Sequence, residues 1–337
     1  MRAQAWQRWI WLMLSGLNFG ASAAIKWNGL GFLLGAGLVW VAAWLLHWLR
    51  LNRAGEVSDH SPNLPLNLPS SPRTPLHNLT QLHIGHVLFC WVAIPALTYY
   101  VSWLPYLHVD QSGQDFWDLQ TTTLDYHKRV GGLNAHPYCS LWFTWPLMLR
   151  PIAYFYKTSR SVSELPPVVG PPLPTHVGSV IYDVHAMGNP LLWWFSTAAI
   201  VLLFGLLIQQ AWQGLTVGKS ANPAPNSLPR LNISGLNTYS WIMLYLGLNW
   251  AANLLPWLRV TRCAFLYHYM ESLVFAILAL ALLVDRWLQS PLRPRRQLGW
   301  AILAVVLLAF AFWMPLYLGL PLSPIELQLR RWLPSWI

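Results

Sequence analysis

Charged residues are scarce in this chain, at 9% of its 337 residues, and acidic ones are scarcer still, with 11 Asp and Glu against 21 Lys and Arg. A soluble domain carries about 25% charged residues, so an ordinary water-facing surface is excluded. Cysteine is rare as well: Cys90, Cys139 and Cys263 lie far apart, with no CxxC pair and no histidine-rich spacing. Neither a zinc site nor a disulfide framework is expected, and an incidental pair outside a membrane stays open. There is no Walker loop, no GxGxxG on a strand, no HExxH and no GxSxG, so nucleotide hydrolysis, dehydrogenation, zinc proteolysis and serine hydrolysis lack a signature. No metal and no cofactor are expected.

What is present is apolar and aromatic: 55% of the residues are hydrophobic and 23 are Trp. A bilayer core about 30 Å thick needs about 20 apolar residues per helix, and backbone amides in lipid have no water to bond. Seven segments qualify as helices, at residues 9–25, 30–49, 84–107, 189–209, 238–258, 264–287 and 298–320, the first of them short. The expected fold is an all-α, multi-pass transmembrane bundle, an integral membrane protein of the plasma (inner) membrane if bacterial. Its net charge of +10 is read as the basic bias of membrane loops rather than as a nucleic-acid surface. Arg2 and Arg8 before a short apolar run and Ala21-Ser-Ala-Ala24 outline a secretory signal, but Lys26-Trp-Asn-Gly29 leads straight into another apolar run, which suits two helices folded back at that break.

The expected organisation is a helix pair at 1–50, a proline-rich cytoplasmic linker at 51–83, a helix at 84–107, an extracytoplasmic interfacial loop at 108–187, a four-helix region at 188–320 and a tail at 321–337. With the amino terminus inside, the inner pieces hold Arg2, Arg8, Arg50, Arg53, Arg73, Lys219, Arg230, Arg286, Arg293, Arg295 and Arg296. The outer short pieces hold Lys26, Arg259, Arg262, Arg330 and Arg331. That bias sets the orientation. Within the long loop, residues 115–129 mix Phe116, Trp117, Leu119 and Leu124 with polar neighbours, as a helix lying in the membrane interface does. Gly131-Gly132 ends it, residues 165–174 read as a proline-rich spacer, and residues 136–151 are too broken to span a bilayer and too apolar for a solvated linker.

Four basic groups, Lys26, Arg150, Arg259 and Arg262, fall near one face and suit an anionic head group, since guanidinium forks match phosphate oxygens. The competing account is that the arginines only snorkel to the interface. Tyr267, His268 and Glu271 are spaced to share a helical face, either lining a wet cavity or satisfying one another within the bundle. Asp110, Asp115, Asp118, Asp125, Glu164, Asp183 and His185 include no paired motif, and each is read as a solvated loop charge.

An ordered series of motifs resembles one family. It comprises His136-Pro-Tyr-Cys-Ser, then Trp145-Pro-Leu-Met-Leu-Arg-Pro151, then Gly188-Asn-Pro-Leu-Leu-Trp-Trp194, and finally Arg262 with Phe265-Leu-Tyr-His-Tyr269. Together with the Lys26-Trp-Asn-Gly29 break, this is similar to the carboxy-terminal half of the protein O-mannosyltransferases. The resemblance implies a GT-C type glycosyltransferase, or its carboxy-terminal part, that passes mannose from a polyprenyl-phosphate carrier to Ser or Thr of an acceptor protein outside the cytoplasm. Arg259, Arg262 and Lys26 would then face the carrier phosphate. His136, Tyr138, Arg150, Tyr267, His268 and Glu271 would line a vestibule for carrier, lipid or acceptor. That family's catalytic carboxylates form an Asp-Glu pair in the first extracytoplasmic loop, and this chain holds no Asp-Glu dipeptide. Met270-Glu271 also departs from the proline or small residue that follows Tyr-His-Tyr in the family. No catalytic residue is assignable, and the expected partners are a polyprenyl-phosphate sugar, an acceptor protein, the bilayer and a chain supplying an amino-terminal half. The alternative is a non-catalytic scaffold or lipid-binding remnant of the same family. A transporter is weaker, because no inverted repeat is visible.

Overall fold

The computed structural model describes residues 2–58, 75–109, 113–159, 180–216 and 238–336. Two compact units emerge: one joins Met1–Asp125 to Val201–Pro256, the other joins Tyr126–Ile200 to Trp257–Ile337. Each unit is thus built from two stretches of chain.

The first unit is helical. Helix α1 (Arg2–Ile25) ends at a 3-10 turn, Trp27–Gly29, which opens α2 (Leu30–Ser58); the break expected at Lys26-Trp-Asn-Gly29 is a tight reversal. A Cβ on Gly29 would lie 2.2 Å from Ser22 Oγ, so the turn closes only on glycine. Helix α3 (Pro75–Thr80) and α4 (Ile84–Leu88) follow, and a π-helical turn at Phe89–Ala93 runs into α5 (Ile94–Val109). The interval read as a linker is therefore helical at both ends, because Leu51-Asn-Arg-Ala54 prolongs α2 and Pro75 is tolerated at a first helical position. Residues 59–74 lie outside the described residues.

Helix–helix contact in this unit rests on small residues. Gly16 and Gly20 of α1 face the stretch from Cys90 to Thr98, where a Cβ on Gly16 would meet the Cys90 carbonyl oxygen at 2.0 Å. Gly31 and Gly35 of α2 face Asn253 and Asn249 of α8 (Thr238–Leu254), with would-be contacts of 2.3 and 2.2 Å. Lipid tails are as apolar as leucine, so close backbone approach and polar side chains take over the work that hydrophobicity does in water.

Helix α6 (Phe116–Arg129) forms where the interfacial helix was expected. Its start is closed reciprocally, Asp118 N–H donating to Asp115 Oδ1 at 2.8 Å and Asp115 N–H to Asp118 Oδ2 at 3.2 Å. These two loop carboxylates are exposed, as expected, whereas Asp110 and Glu164 lie outside the described residues, as does the 165–174 spacer.

The second unit adds what an all-α expectation omits. Strand β1 (Ile152–Ser159) pairs antiparallel with β2 (Val180–Ala186) from Ile152 opposite Ala186 to Ser159 opposite Val180, with an irregularity between Ala153 and Phe155; β2 also pairs with β3 (Pro321–Leu322). The runs Ile-Ala-Tyr-Phe-Tyr and Val-Ile-Tyr are rich in β-branched and aromatic residues, which suit a pleated, half-buried surface. The sheet packs on α10 (Arg293–Leu318), which follows α9 (Met270–Leu288), and a short α11 (Pro324–Arg330) closes the chain. Helix α7 (Pro190–Thr216) begins in this unit and ends in the first.

All seven expected spans are helical. Among the described residues five are long and apolar enough to cross a membrane: Trp27–Leu49, Ile84–Val109, Pro190–Gln213, Leu266–Leu288 and Arg293–Leu318. Helix α8 is only 17 residues long, and α1 is diluted by Ser15, Gly16, Asn18, Gly20 and Ser22. The chain is a multi-pass integral membrane protein.

Candidate functional site

The stretch 136–151 is held in the second unit by donors on distant parts of the chain. Trp142–Leu147 winds as a 3-10 turn, and Met148 ends it at φ 52°, fully buried although no glycine. Five successive carbonyls then accept side-chain protons. Trp193 Nε1 donates to Trp145 O at 2.8 Å, Thr197 Oγ1 to Pro146 O at 2.6 Å, Trp194 Nε1 to Leu147 O at 2.8 Å and Trp336 Nε1 to Met148 O at 2.9 Å; Ser335 Oγ donates to Leu149 O. An irregular backbone in an apolar setting needs each such partner, since an unpaired buried carbonyl is costly.

A second set of bonds ties this stretch to the turn before α9. Cys139 and Cys263 form a disulfide, the single incidental pair that the sequence left open. The two residues are 124 apart in sequence and the fold brings their Cα atoms to 5.1 Å, which no spacing rule reveals. On either side, Ser140 N–H donates to Ala264 O at 2.8 Å and Cys263 N–H to Gly131 O at 2.8 Å. Cys90 is free and buried in the first unit.

The clamp produces an aromatic cluster. The His136 ring lies 5.4 Å from Tyr138 and 5.5 Å from Phe265, and Phe265 lies 5.6 Å from Tyr267. His268 stacks between Tyr267 at 4.4 Å and Trp145 at 5.9 Å, with the edge of Trp257 at 4.5 Å. His268 is 3% exposed, and its Nδ1 lies 2.9 Å from Phe265 O and 3.2 Å from Phe265 N. Residues 266–269 form a 3-10 turn that runs straight into α9 at Met270, so Tyr267, His268 and Glu271 lie on one continuous helical stretch. Glu271 sits half-buried in the first turn of α9.

Arg262 is half-buried beside this cluster. One of its terminal nitrogens donates to Cys263 O at 3.1 Å, and its charge reaches Tyr267, as does the phenol of Tyr154 on β1. Arg259 is exposed at the end of the 3-10 turn Leu255–Arg259. Arg150 follows the five clamped carbonyls, and its Nε is enclosed without a hydrogen-bond partner. His136, Tyr138, Tyr267, His268 and Arg262 are thus brought together. Lys26 is exposed and belongs to the first unit.

Tyr154 was not singled out from the sequence, although aromatic and β-branched residues around it mark a strand. Asp183 and His185 were read as solvated, and the structure corrects this. They lie on β2, Asp183 is 0% exposed, and its carboxylate meets His185 Nδ1 at 2.8 Å and an Arg331 terminal nitrogen at 3.2 Å. A buried carboxylate persists only when paired in this way.

Residues 112–336 match the family model of the C-terminal four-transmembrane region of protein O-mannosyltransferase. Among curated proteins, the chain is 26% identical over 222 residues to dolichyl-phosphate-mannose–protein mannosyltransferase 1 of Saccharomyces cerevisiae, covering 63% of this chain and 23% of that protein. It is 22% identical over 360 residues to polyprenol-phosphate-mannose–protein mannosyltransferase of Mycolicibacterium smegmatis, covering 98% of this chain and 58% of that protein. The solved structure of the S. cerevisiae protein O-mannosyltransferase Pmt1-Pmt2 complex bound to the sugar donor aligns with a TM-score of 0.45 at 21% identity, over 68% of this chain and 28% of that one. The chain spans under two thirds of these relatives' lengths. The four helices α7 to α10, the hairpin and the clamped aromatic cluster all fall within the matched residues, and on that match the chain belongs to the protein O-mannosyltransferase family.

Proposed function

We propose that this chain takes part in transferring mannose from a polyprenyl-phosphate carrier to Ser or Thr hydroxyls of proteins on the extracytoplasmic side of the membrane. The observation that carries this reading is that the clamped aromatic cluster with its arginines lies inside the family region at 112–336. Dolichyl- and polyprenol-phosphate mannose appear in the names of the curated relatives. The Cys139–Cys263 disulfide supports the side of the membrane, because such bonds persist in oxidising compartments.

In this reading Arg262 and Arg259 hold the carrier phosphate, with Arg150 as a further cation. As the acceptor oxygen bonds to the sugar's anomeric carbon, the bond from that carbon to the phosphate oxygen breaks and negative charge grows on the departing carrier. Guanidinium groups fixed in place before the reaction stabilise that charge. His136, Tyr138 and Tyr267 present polar edges on an apolar wall, suited to a sugar and a peptide at the interface. The half-buried Glu271 lines the same vestibule. His268, enclosed by rings, orients Tyr267. The acceptor hydroxyl must lose its proton to a carboxylate; no Asp-Glu pair stands in these 337 residues, so that group comes from a partner segment or chain.

Arg259 and Arg262 changed together to Ala should weaken binding of a polyprenyl-phosphate sugar to purified protein by at least about 100-fold, the loss of two charge-assisted contacts. Unchanged binding would remove the phosphate site. Membranes holding only this chain should not glycosylate a Ser/Thr peptide, and transfer by the chain alone would show that its carboxylate is already present.

A further inference from the structure

A cavity lies in the first unit, apart from the aromatic cluster and arginines of the second. Its volume is about 470 Å³, and its apolar wall includes Ala23 of α1, Leu33 of α2, and Trp91 and Pro95 of the π turn and α5. Val92 of the π turn and Ala96 of α5, also on the wall, are exposed, so the cavity is open at those two residues.

One end of the wall is polar, and its protons run in one direction. An indole N–H only donates, so the Trp27 Nε1 contact at 2.8 Å makes the Tyr99 oxygen an acceptor. The Tyr99 hydroxyl proton goes on to Gln120 at 2.6 Å, which fixes Oε1 of the amide as the atom facing Tyr99. The Gln120 Nε2 is left enclosed with no hydrogen-bond partner. The relay therefore ends in an unused donor at the rim of an apolar cavity, on the amphipathic helix α6.

We propose that this cavity binds one acyl chain of a membrane phospholipid, with the ester carbonyl of that chain accepting a hydrogen bond from Gln120 Nε2. The donor asks for an acceptor, which rules out an amine or a cation. None of the lining residues carries a charge, so a phosphate drawn to this donor would be buried without a counter-ion at high cost, whereas a neutral carbonyl is not. The volume falls within the range of small-molecule pockets, and the exposed edge at Val92 and Ala96 lets a chain enter sideways from the bilayer.

The test uses full-length protein in vesicles of phosphatidylcholine bearing a diazirine in one acyl chain. After irradiation, labelled lipid should map to residues 91–99. Gln120→Leu should lower labelling about fivefold, the worth of one neutral hydrogen bond. Ala96→Trp, which fills the mouth, should abolish labelling there, while Leu97→Trp, at an exposed position off the wall, should leave it intact. Equal labelling in the Ala96 and Leu97 variants, or no effect of Gln120→Leu, overturns the proposal. Displacement of the label by polyprenyl phosphate at an equimolar amount overturns it too, by assigning the cavity to the carrier's tail.

Discussion

Met148 takes a left-handed conformation without being glycine and without any exposure, a strained choice that the surrounding bonds must hold in place. Trp336, itself 2% exposed, donates to the carbonyl of that residue. Trp336→Phe removes the proton and little of the ring, and should cost about 1–3 kcal/mol through an unpaired buried carbonyl, measured by denaturant unfolding in detergent. Trp332→Phe, at a 48% exposed ring that bonds only within its own turn, should stay within about 0.5 kcal/mol of the parent. Glu326 gives a pH signature. Its carboxylate accepts from the Ser323 N–H at 2.8 Å and the Ser323 hydroxyl at 2.9 Å, and these bonds, with Arg330 in reach, hold its pKa below the usual value. A carboxyl depressed in the folded state contributes stability above its unfolded value of about 4.3 and loses it as pH falls through the lower folded value. Acid titration of stability should therefore show a decline in that window that Glu326→Gln lacks. At this scale the sequence was a partial guide: it singled out Arg262, His136 and Tyr267, and the fold places all three at one aromatic cluster. The donors from Trp193, Trp194 and Trp336 could not be foreseen, because a hydrogen bond between residues 47, 48 or 188 positions apart leaves no local pattern.

Helices were legible because a bilayer admits little else, and hydropathy places all seven. The hairpin β1–β2 was not, since its two runs lie in a segment whose proline-rich middle suggested a spacer, and strand signals are short. Packing between helices was hidden for another reason. Gly16 and Gly20, like Gly31 and Gly35, recur four residues apart, but only the structure shows which neighbour each pair meets. Gly16→Ala should be severe: the new Cβ would lie 2.0 Å from the Cys90 carbonyl oxygen, a backbone atom that cannot swing away. A loss of about 1–3 kcal/mol is expected, the usual cost of overpacking. Gly37→Ala, on the same kind of helix with nothing within 4 Å, should be neutral or stabilising by up to about 1 kcal/mol, the helix preference of Ala over Gly. Thermal unfolding of both variants in the same detergent gives the comparison.

Each unit of the whole molecule is discontinuous in sequence. The second unit is assembled from residues before and after the segment Val201–Pro256, and the Cys139–Cys263 bond joins its two pieces. Cys139→Ser should lower stability by about 2–5 kcal/mol. Reductant should impose the same loss on the parent protein and none on the variant, as read by unfolding with and without dithiothreitol. During synthesis this bond also acts as a clock. At about 5–20 residues per second, the 124 residues between the two cysteines take about 6–25 s to make. In the proposed orientation Cys139 is for that interval a lone thiol on the extracytoplasmic side, its eventual partner not yet translated. Cys90 is no alternative partner, because it lies in the spanning segment Ile84–Val109. The family region of this protein thus closes only after α8 has been made, so in that orientation the oxidising machinery must leave Cys139 unspent until the turn before α9 arrives.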